Sequence, residues 1–201
     1  MRAALFLPLV LIWPAGLAGQ QRGSDRYTLA GGDVAIYNVA GAVVIEPGLP
    51  GQGQNQVSVQ VTRGGTGAGR LGVEQGELHG RETLRVIYPE DRIVYRGLES
   101  GSSTTLEMGE DGTFGGGDHD GHRKETARRR VKVVGTGPGL EAHADLRIQV
   151  PAGREVAVYL AVGRVSISNV NGTPHVDAHS APVTASGTRG ALSLDVGSGS
   201  V

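Results

Sequence analysis

The stretch Val165-Ser-Ile167-Ser-Asn169-Val170-Asn-Gly172-Thr-Pro-His175-Val176-Asp177-Ala178-His179-Ser-Ala-Pro182-Val183-Thr-Ala185 decides the fold class. Its apolar side chains come in pairs two residues apart, Val165/Ile167, Val176/Ala178 and Val183/Ala185, and the pattern continues in Leu192/Leu194 and a last Val201. A period of two is that of a β-strand with one face buried, and the Gly, Pro and Asn residues between the pairs mark turns. Val165, Val183 and Val201 are evenly spaced, each interval long enough for two short strands and two turns. A unit of that size cannot bury its own apolar face, so it must stack on its neighbours. The expectation is an all-β protein, a β-solenoid or β-helix-like pile of short stacked strands. A β-sandwich is the alternative, because short strands in a sandwich also recur at regular spacing.

Upstream the same alternation recurs in Val34-x-Ile36, Val43-x-Ile45, Val57-x-Val59-x-Val61, Leu84-x-Val86 and Leu146-x-Ile148-x-Val150. No segment carries the apolar stripe of an amphipathic helix, and Lys124 to Arg130, the one helix-tolerant stretch, is charged all round. Val34-Ala-Ile36-Tyr-Asn38-Val39-Ala-Gly41 also matches Val165-Ser-Ile167-Ser-Asn169-Val170-Asn-Gly172, which reads as one structural unit used twice, with Asn and Gly supplying the left-handed backbone of a tight turn. Between these halves, about residues 100–130, Gly115-Gly116-Gly117 and dense charge read as a mobile insertion too poor in apolar groups to offset its ordering entropy.

Composition narrows the function classes. The 201 residues include no cysteine, which excludes disulfides, thiolate chemistry and a lipidated Cys. The net charge of −1 gives the whole chain no electrostatic reason to seek nucleic acid. At the N-terminus, Met1-Arg2 precede an almost wholly apolar Ala3 to Leu17 that contains Pro8 and Pro14 and ends in small residues. That run is shorter than a membrane span needs and has the form of a secretory signal peptide over 1–18, cut after Ala18, followed by one all-β repeat domain over 19–201. No later segment is apolar enough to span a bilayer, so the mature chain is expected in the periplasm, on the outer surface or outside the cell.

Asp145-Leu-Arg-Ile-Gln-Val-Pro151-Ala-Gly153, then Val156-x-Val158, then Gly163-Arg-Val165-Ser-Ile167-Ser-Asn169-Val170-Asn-Gly172, follow one another in an order that resembles DUF4097, a family of bacterial adhesin-like proteins of unknown function. The resemblance covers roughly Tyr27 to Val61 and Leu140 to Val201. It implies an exported β-repeat fold and an adhesive or envelope role, with no catalytic residues to carry over. The Gly- and charge-rich middle departs from the family pattern, as does the end at Gly197-Ser-Gly-Ser-Val201, which stops in mid-repeat without a visible cap. Since stacked repeats need capping, this end is a candidate for self-association.

Four groups of residues could carry chemistry. In His175-x-Asp177-x-His179, alternation places three potential zinc ligands on one outward face, where the plain reading is a solvated strand. Asp177 and Asp195 are separated by the same interval as Val165 and Val183, so stacked coils would set two carboxylates side by side, as in some β-helical carbohydrate-active enzymes. Asp118, His119, Asp120 and His122 are ligand types in a loop without rigid support. Arg123, Lys124, Arg128, Arg129, Arg130 and Lys132 form a basic run able to grip an anionic polymer such as lipopolysaccharide, teichoic acid or nucleic acid, with acids nearby to offset it. No nucleophile elbow, metalloprotease motif or phosphate loop is present. The leading expectation is a non-enzymatic exported module, an adhesin or envelope scaffold, with no cofactor and an envelope or surface protein or polysaccharide as partner. The alternatives are a β-helical carbohydrate-active enzyme and a metal-binding module at His175, Asp177 and His179.

Overall fold

The computed structural model describes residues 24–49, 51, 55–78, 80–115 and 127–201. The segment expected to direct export, 1–18, lies outside them, as do Asp118, His119, Asp120, His122, Arg123 and Lys124. The described chain is all-β. Its strands are β1 (Ser24–Leu29), β2 (Val34–Pro47), β3 (Val57–Gly64), β4 (Gly72–Leu78), β5 (Arg81–Ile87), β6 (Arg92–Val94), β7 (Ser103–Gly109), β8 (Arg128–Val134), β9 (Leu140–Glu141), β10 (His143–Val150), β11 (Glu155–Ser168), β12 (Thr173–Ser180), β13 (Val183–Ser186) and β14 (Ser193–Ser198). One 3-10 turn, Ala68–Arg70, is the only helical element among the described residues. A ten-stranded mixed sheet runs β1-β3-β10-β2-β11-β12-β14, with β13 beside β11, β5 beside β2 and β4 beside β5; a second sheet runs β7-β8-β6-β9.

The spacing read from the sequence is the register of the parallel strands. Val158 of β11 lies beside Val176 of β12, which lies beside Leu194 of β14; on the other arm, Val165 of β11 lies beside Val183 of β13. The sequence interval is the same at every one of these steps. The backbone repeats it too: Val165 N donates to Pro182 O and, one step on, Val183 N donates to Ser200 O, both at 2.9 Å. Apolar pairs fill the inner side as expected, with Val165, Ile167, Val176, Ala178 and Val183 buried, though Ala185 is exposed.

The internal match needs correction. The unit that stacks on Val34–Gly41 is Val156–Gly163, not Val165–Gly172: β2 and β11 are parallel neighbours with Val158 beside Ile36, Tyr159 beside Tyr37 and Gly163 beside Gly41. The stacked neighbours are thus separated in sequence by the whole run of strands from β3 to β10. The two Asn residues differ accordingly. Asn169 has the left-handed backbone expected of a turn (φ 54°), whereas Asn38 sits inside β2 and is fully buried.

Asn38 serves a bend. Both β2 and β11 turn a corner at a glycine, Gly41 (φ 142°) and Gly163 (φ 145°), so that each strand has two arms with different neighbours. A Cβ at Gly163 would lie 1.8 Å from the Gly41 carbonyl oxygen, and one at Gly41 would lie 2.0 Å from that of Ala144, so only glycine fits this column. The bend disturbs the ladder, and side chains take up the freed groups. Asn38 Nδ2 donates to Ala144 O (2.7 Å), Asp145 Oδ1 accepts from Ala42 N (2.8 Å), and the Tyr88 hydroxyl lies 2.9 Å from Asn38 Oδ1 and 3.0 Å from Ala40 O.

The segment expected to be a mobile insertion, about 100–130, holds strands at both of its ends, while 116–126 lie outside the described residues. Ser103–Gly109 is strand β7 and Arg128 opens β8, and the two pair antiparallel with Leu106 opposite Val131. Leu106, Met108, Val131 and Val133 are buried in the same cluster as Ile36, Val158 and Ile167, so both sheets share one core. Burying such side chains stabilises by about 1.5–3 kcal/mol each. Glu107, Arg128, Arg130 and Lys132 occupy exposed positions of these two strands.

Candidate functional site

Alternation leaves one face of the ten-stranded sheet turned away from the main core, and registers place one residue per strand in a row across it. The row runs Glu74 (β4), Arg85 (β5), Tyr37 (β2), Tyr159 (β11), Asp177 (β12) and Asp195 (β14), each the register partner of the next. A neighbouring row runs Thr83, Ala35, Ala157, His175 and Ser193. His175, Asp177 and His179 therefore share this face, while Pro174, Val176 and Ala178 between them are buried. Asp177 and Asp195 are direct neighbours on adjacent strands, the juxtaposition that their spacing in the sequence implies.

Aromatic rings occupy the middle of the row. Tyr37 and Tyr159 are stacked, with ring centres 4.5 Å apart and planes 5° from parallel, and Phe114 packs edge-on against Tyr37 at 6.0 Å. The His175 ring stands edge-on to Tyr159 at 6.4 Å. With Ala35 and Ala157 these rings form a small second cluster separate from the main core. Sequence reasoning missed it, although the signal is visible in retrospect: Val34-Ala-Ile36-Tyr37 and Val156-Ala-Val158-Tyr159 are the same four-residue pattern.

A segment from Gly109 to Gly115 crosses this row. Thr113 donates both its backbone N–H and its hydroxyl to Asp111 Oδ1 (3.0 and 2.7 Å), which sets a turn, and Arg85 Nη1 donates to the Asp111 carbonyl (2.8 Å). Gly115 (φ 70°) presses so closely that a Cβ there would lie 2.7 Å from Asp177 Oδ2 and 3.0 Å from Tyr159 Cδ1. Phe114 and Gly115 thereby cover the tyrosines, and Tyr159 is buried. Burial pushes the Tyr37 hydroxyl well above its ordinary pKa, with the adjoining Tyr159 adding to the rise. At the far edge of the rings Arg81 forms a two-pronged pair with Asp33 (2.8 and 2.9 Å) and lies 3.5 Å from the Tyr159 hydroxyl.

The arrangement has defined chemical capacity. Asp177 and Asp195 stand together on a sheet face; a hollow of about 600 Å3 between Gly31, Asp33, Glu77 and Glu82 and one of about 490 Å3 between Tyr95, Leu98, Arg164 and Pro182 include neither residue. In the first hollow Glu82 is already engaged, accepting from Gly31 N (2.5 Å) and Gln75 Nε2 (2.9 Å). Among the described residues no three His, Cys, Asp or Glu side chains are arranged to hold a metal ion, and His175, Asp177 and His179 spread along β12 at about 7 Å per step without converging. No described helix is long and apolar enough to cross a membrane. Comparison with protein-family models, with curated proteins and with solved structures returned no match.

Proposed function

We propose that this chain is an exported, non-enzymatic β-repeat module, solenoid-like in its stacked part, that works in the cell envelope or outside the cell as an adhesive or scaffolding surface. The observation that carries the reading is the unvarying parallel step from β11 through β12 and β13 to β14, which builds a wide sheet face from small repeated units. Surfaces of this kind bind by extent more than by a pocket. The aromatic row supports the same reading: Tyr37 and Tyr159 are covered by Phe114 and Gly115, and so brace the sheet where an enzyme would offer an open sugar platform. The resemblance to DUF4097 and the leader-like residues 1–18 point to the same compartment.

Two measurements test this. Cells producing the full chain should yield, in the envelope or medium fractions, a product whose intact mass begins near Gly19; a cytoplasmic product that retains Met1 contradicts export. The carbohydrate-active alternative rests on the Asp177 and Asp195 pairing. The double variant Asp177→Ala/Asp195→Ala should keep whatever binding to isolated envelopes the parent shows. A glycan-cleaving activity present in the parent and lost in that folded variant would replace the module reading with the enzymatic one.

A further inference from the structure

The outer face of the four-stranded sheet collects positive charge that the net charge of −1 conceals. In β8, Val131 and Val133 point into the core, so Arg128, Arg130 and Lys132 project together on the opposite side, and all three are exposed. They recur at about 7 Å along the strand. Lys132 is flanked by Arg92 of β6 on one side and Thr105 of β7 on the other, and Arg130 by Glu107. Among the described residues Arg130 and Lys132 have no ion pair or hydrogen bond from their side chains; Arg128 reaches Glu107 only at 4.0 Å, and Arg92 Nε donates to Pro138 O at 2.7 Å. Of the acids near this run in the sequence, Asp118 and Asp120 lie outside the described residues, and among the described ones register places Glu107 beside the β8 cations. Asp91 is paired with Arg129, and Asp111 is engaged in the turn beneath Phe114. Among the described residues, the β8 cations and their register partners are Arg92, Arg128, Arg130 and Lys132 against the carboxylate of Glu107.

We propose that this face binds an anionic polysaccharide, its sulfate, carboxylate or phosphate groups lying along the β8 cations. The occupant follows from what surrounds the charge. Ser103 and Thr105 set hydroxyls beside the cations, suited to sugar hydroxyls, and Ser103, Thr105 and Glu107 complete the outward positions of β7. Binding single-stranded nucleic acid calls for aromatic side chains on which bases stack, and among the described residues none stands on this face. Insertion into a lipid surface calls for exposed apolar residues, and among the described residues the face presents none between the cations. The inference rests on the proposed export only in that such polymers are met in the envelope.

The test uses the purified chain and fluorescein-labelled dextran sulfate at about 50 mM salt, with unsulfated dextran and an oligothymidylate of matched charge alongside. Dextran sulfate should bind, unsulfated dextran should not, and oligothymidylate should bind more weakly. Arg130→Glu/Lys132→Glu should reduce affinity for dextran sulfate by about tenfold or more and flatten the dependence of log affinity on log salt, since counterion release scales with the cations engaged. Arg130→Gln/Lys132→Gln should fall in between. Arg26→Glu/Arg189→Glu makes the same change in net charge at exposed sites elsewhere and should stay within about twofold of the parent. Equal loss in the two reversed pairs, no binding by the parent, or tighter binding of oligothymidylate overturns the proposal. Localisation is read separately: an exported chain that ignores dextran sulfate defeats this inference alone, and a binding chain retained in the cytoplasm defeats only the export reading.

Discussion

The stack of β11 to β14 and the hairpin of β7 and β8 contribute to one core by opposite routes. In the stack, neighbours run parallel at a constant sequence interval: β11 supplies Val156, Val158, Leu160, Val165 and Ile167 to the core, and β12 and β13 add Val176, Ala178 and Val183 beside them. In the hairpin the strands run antiparallel, and Leu106, Met108, Val131 and Val133 anchor strands whose other face carries charge. Repetition makes the first kind of order conspicuous in a sequence. The second kind is hidden by averaging, because a strand that is half core and half charge has the mean composition of a loop.

The largest expected effect strikes the stack. Gly163→Val forces a side chain into the Gly41 carbonyl and should prevent folding, and Ile167→Asp, which buries an unpaired charge where the parent side chain is 1% exposed, should cost several kcal/mol, enough to unfold a marginally stable domain. Circular dichroism melts decide it: a Gly163→Val melt near the parent's would mean the bends are not superposed as described. Next in size is the hairpin. Met108→Ala should cost about 2–5 kcal/mol, as for other large buried side chains. Were the region a loose insertion, the same change would be silent in urea unfolding.

A smaller effect depends on pH. Burial raises the pKa of Tyr37 in the aromatic row and of Tyr88 at the Gly41 bend. The unfolded chain ionises these hydroxyls near pH 10 while the folded chain keeps them neutral. Their contribution is therefore whole below about pH 10 and is lost as pH rises through the folded values. Tyr37→Phe should make the fall in stability above pH 10 shallower; an unchanged alkaline slope would mean that the ring is open to water. Smallest of all, Ser166→Asp lies on an exposed position of β11 and should change stability by no more than about 0.5 kcal/mol.

Much of the fold is legible in the residues because period two and the even Val165-to-Val183 spacing are both local regularities. Val57 to Val61, Leu84 to Val86 and Leu146 to Val150 lie in strands as their alternation implies. Long-range pairing is less legible. Val34–Gly41 resembles Val165–Gly172 by sharing Asn-Val-x-Gly, yet it stacks on Val156–Gly163, because what the strands must share is a glycine at the bend and a tyrosine on the outer row. Of the candidate site, the Asp177 and Asp195 pairing follows from spacing alone. The cover made by Phe114 and Gly115 does not, since it depends on where the hairpin docks. The basic run is visible in the sequence as charge, but only strand pairing shows which of its cations lie side by side.

The parallel step that sets Val165 beside Val183 can be measured directly, because the chain has no cysteine and any introduced pair is unique. Ser166 and Thr184 are exposed register partners on β11 and β13, with side chains on the same face. Ser166→Cys/Thr184→Cys should close a disulfide readily under mild oxidation, as Cα atoms of adjacent strands lie within disulfide range. Ser166→Cys/Ala185→Cys, one residue out of register and on opposite faces, should remain reduced. A disulfide that forms in the second pair and not in the first would contradict the stacked register on which the account depends.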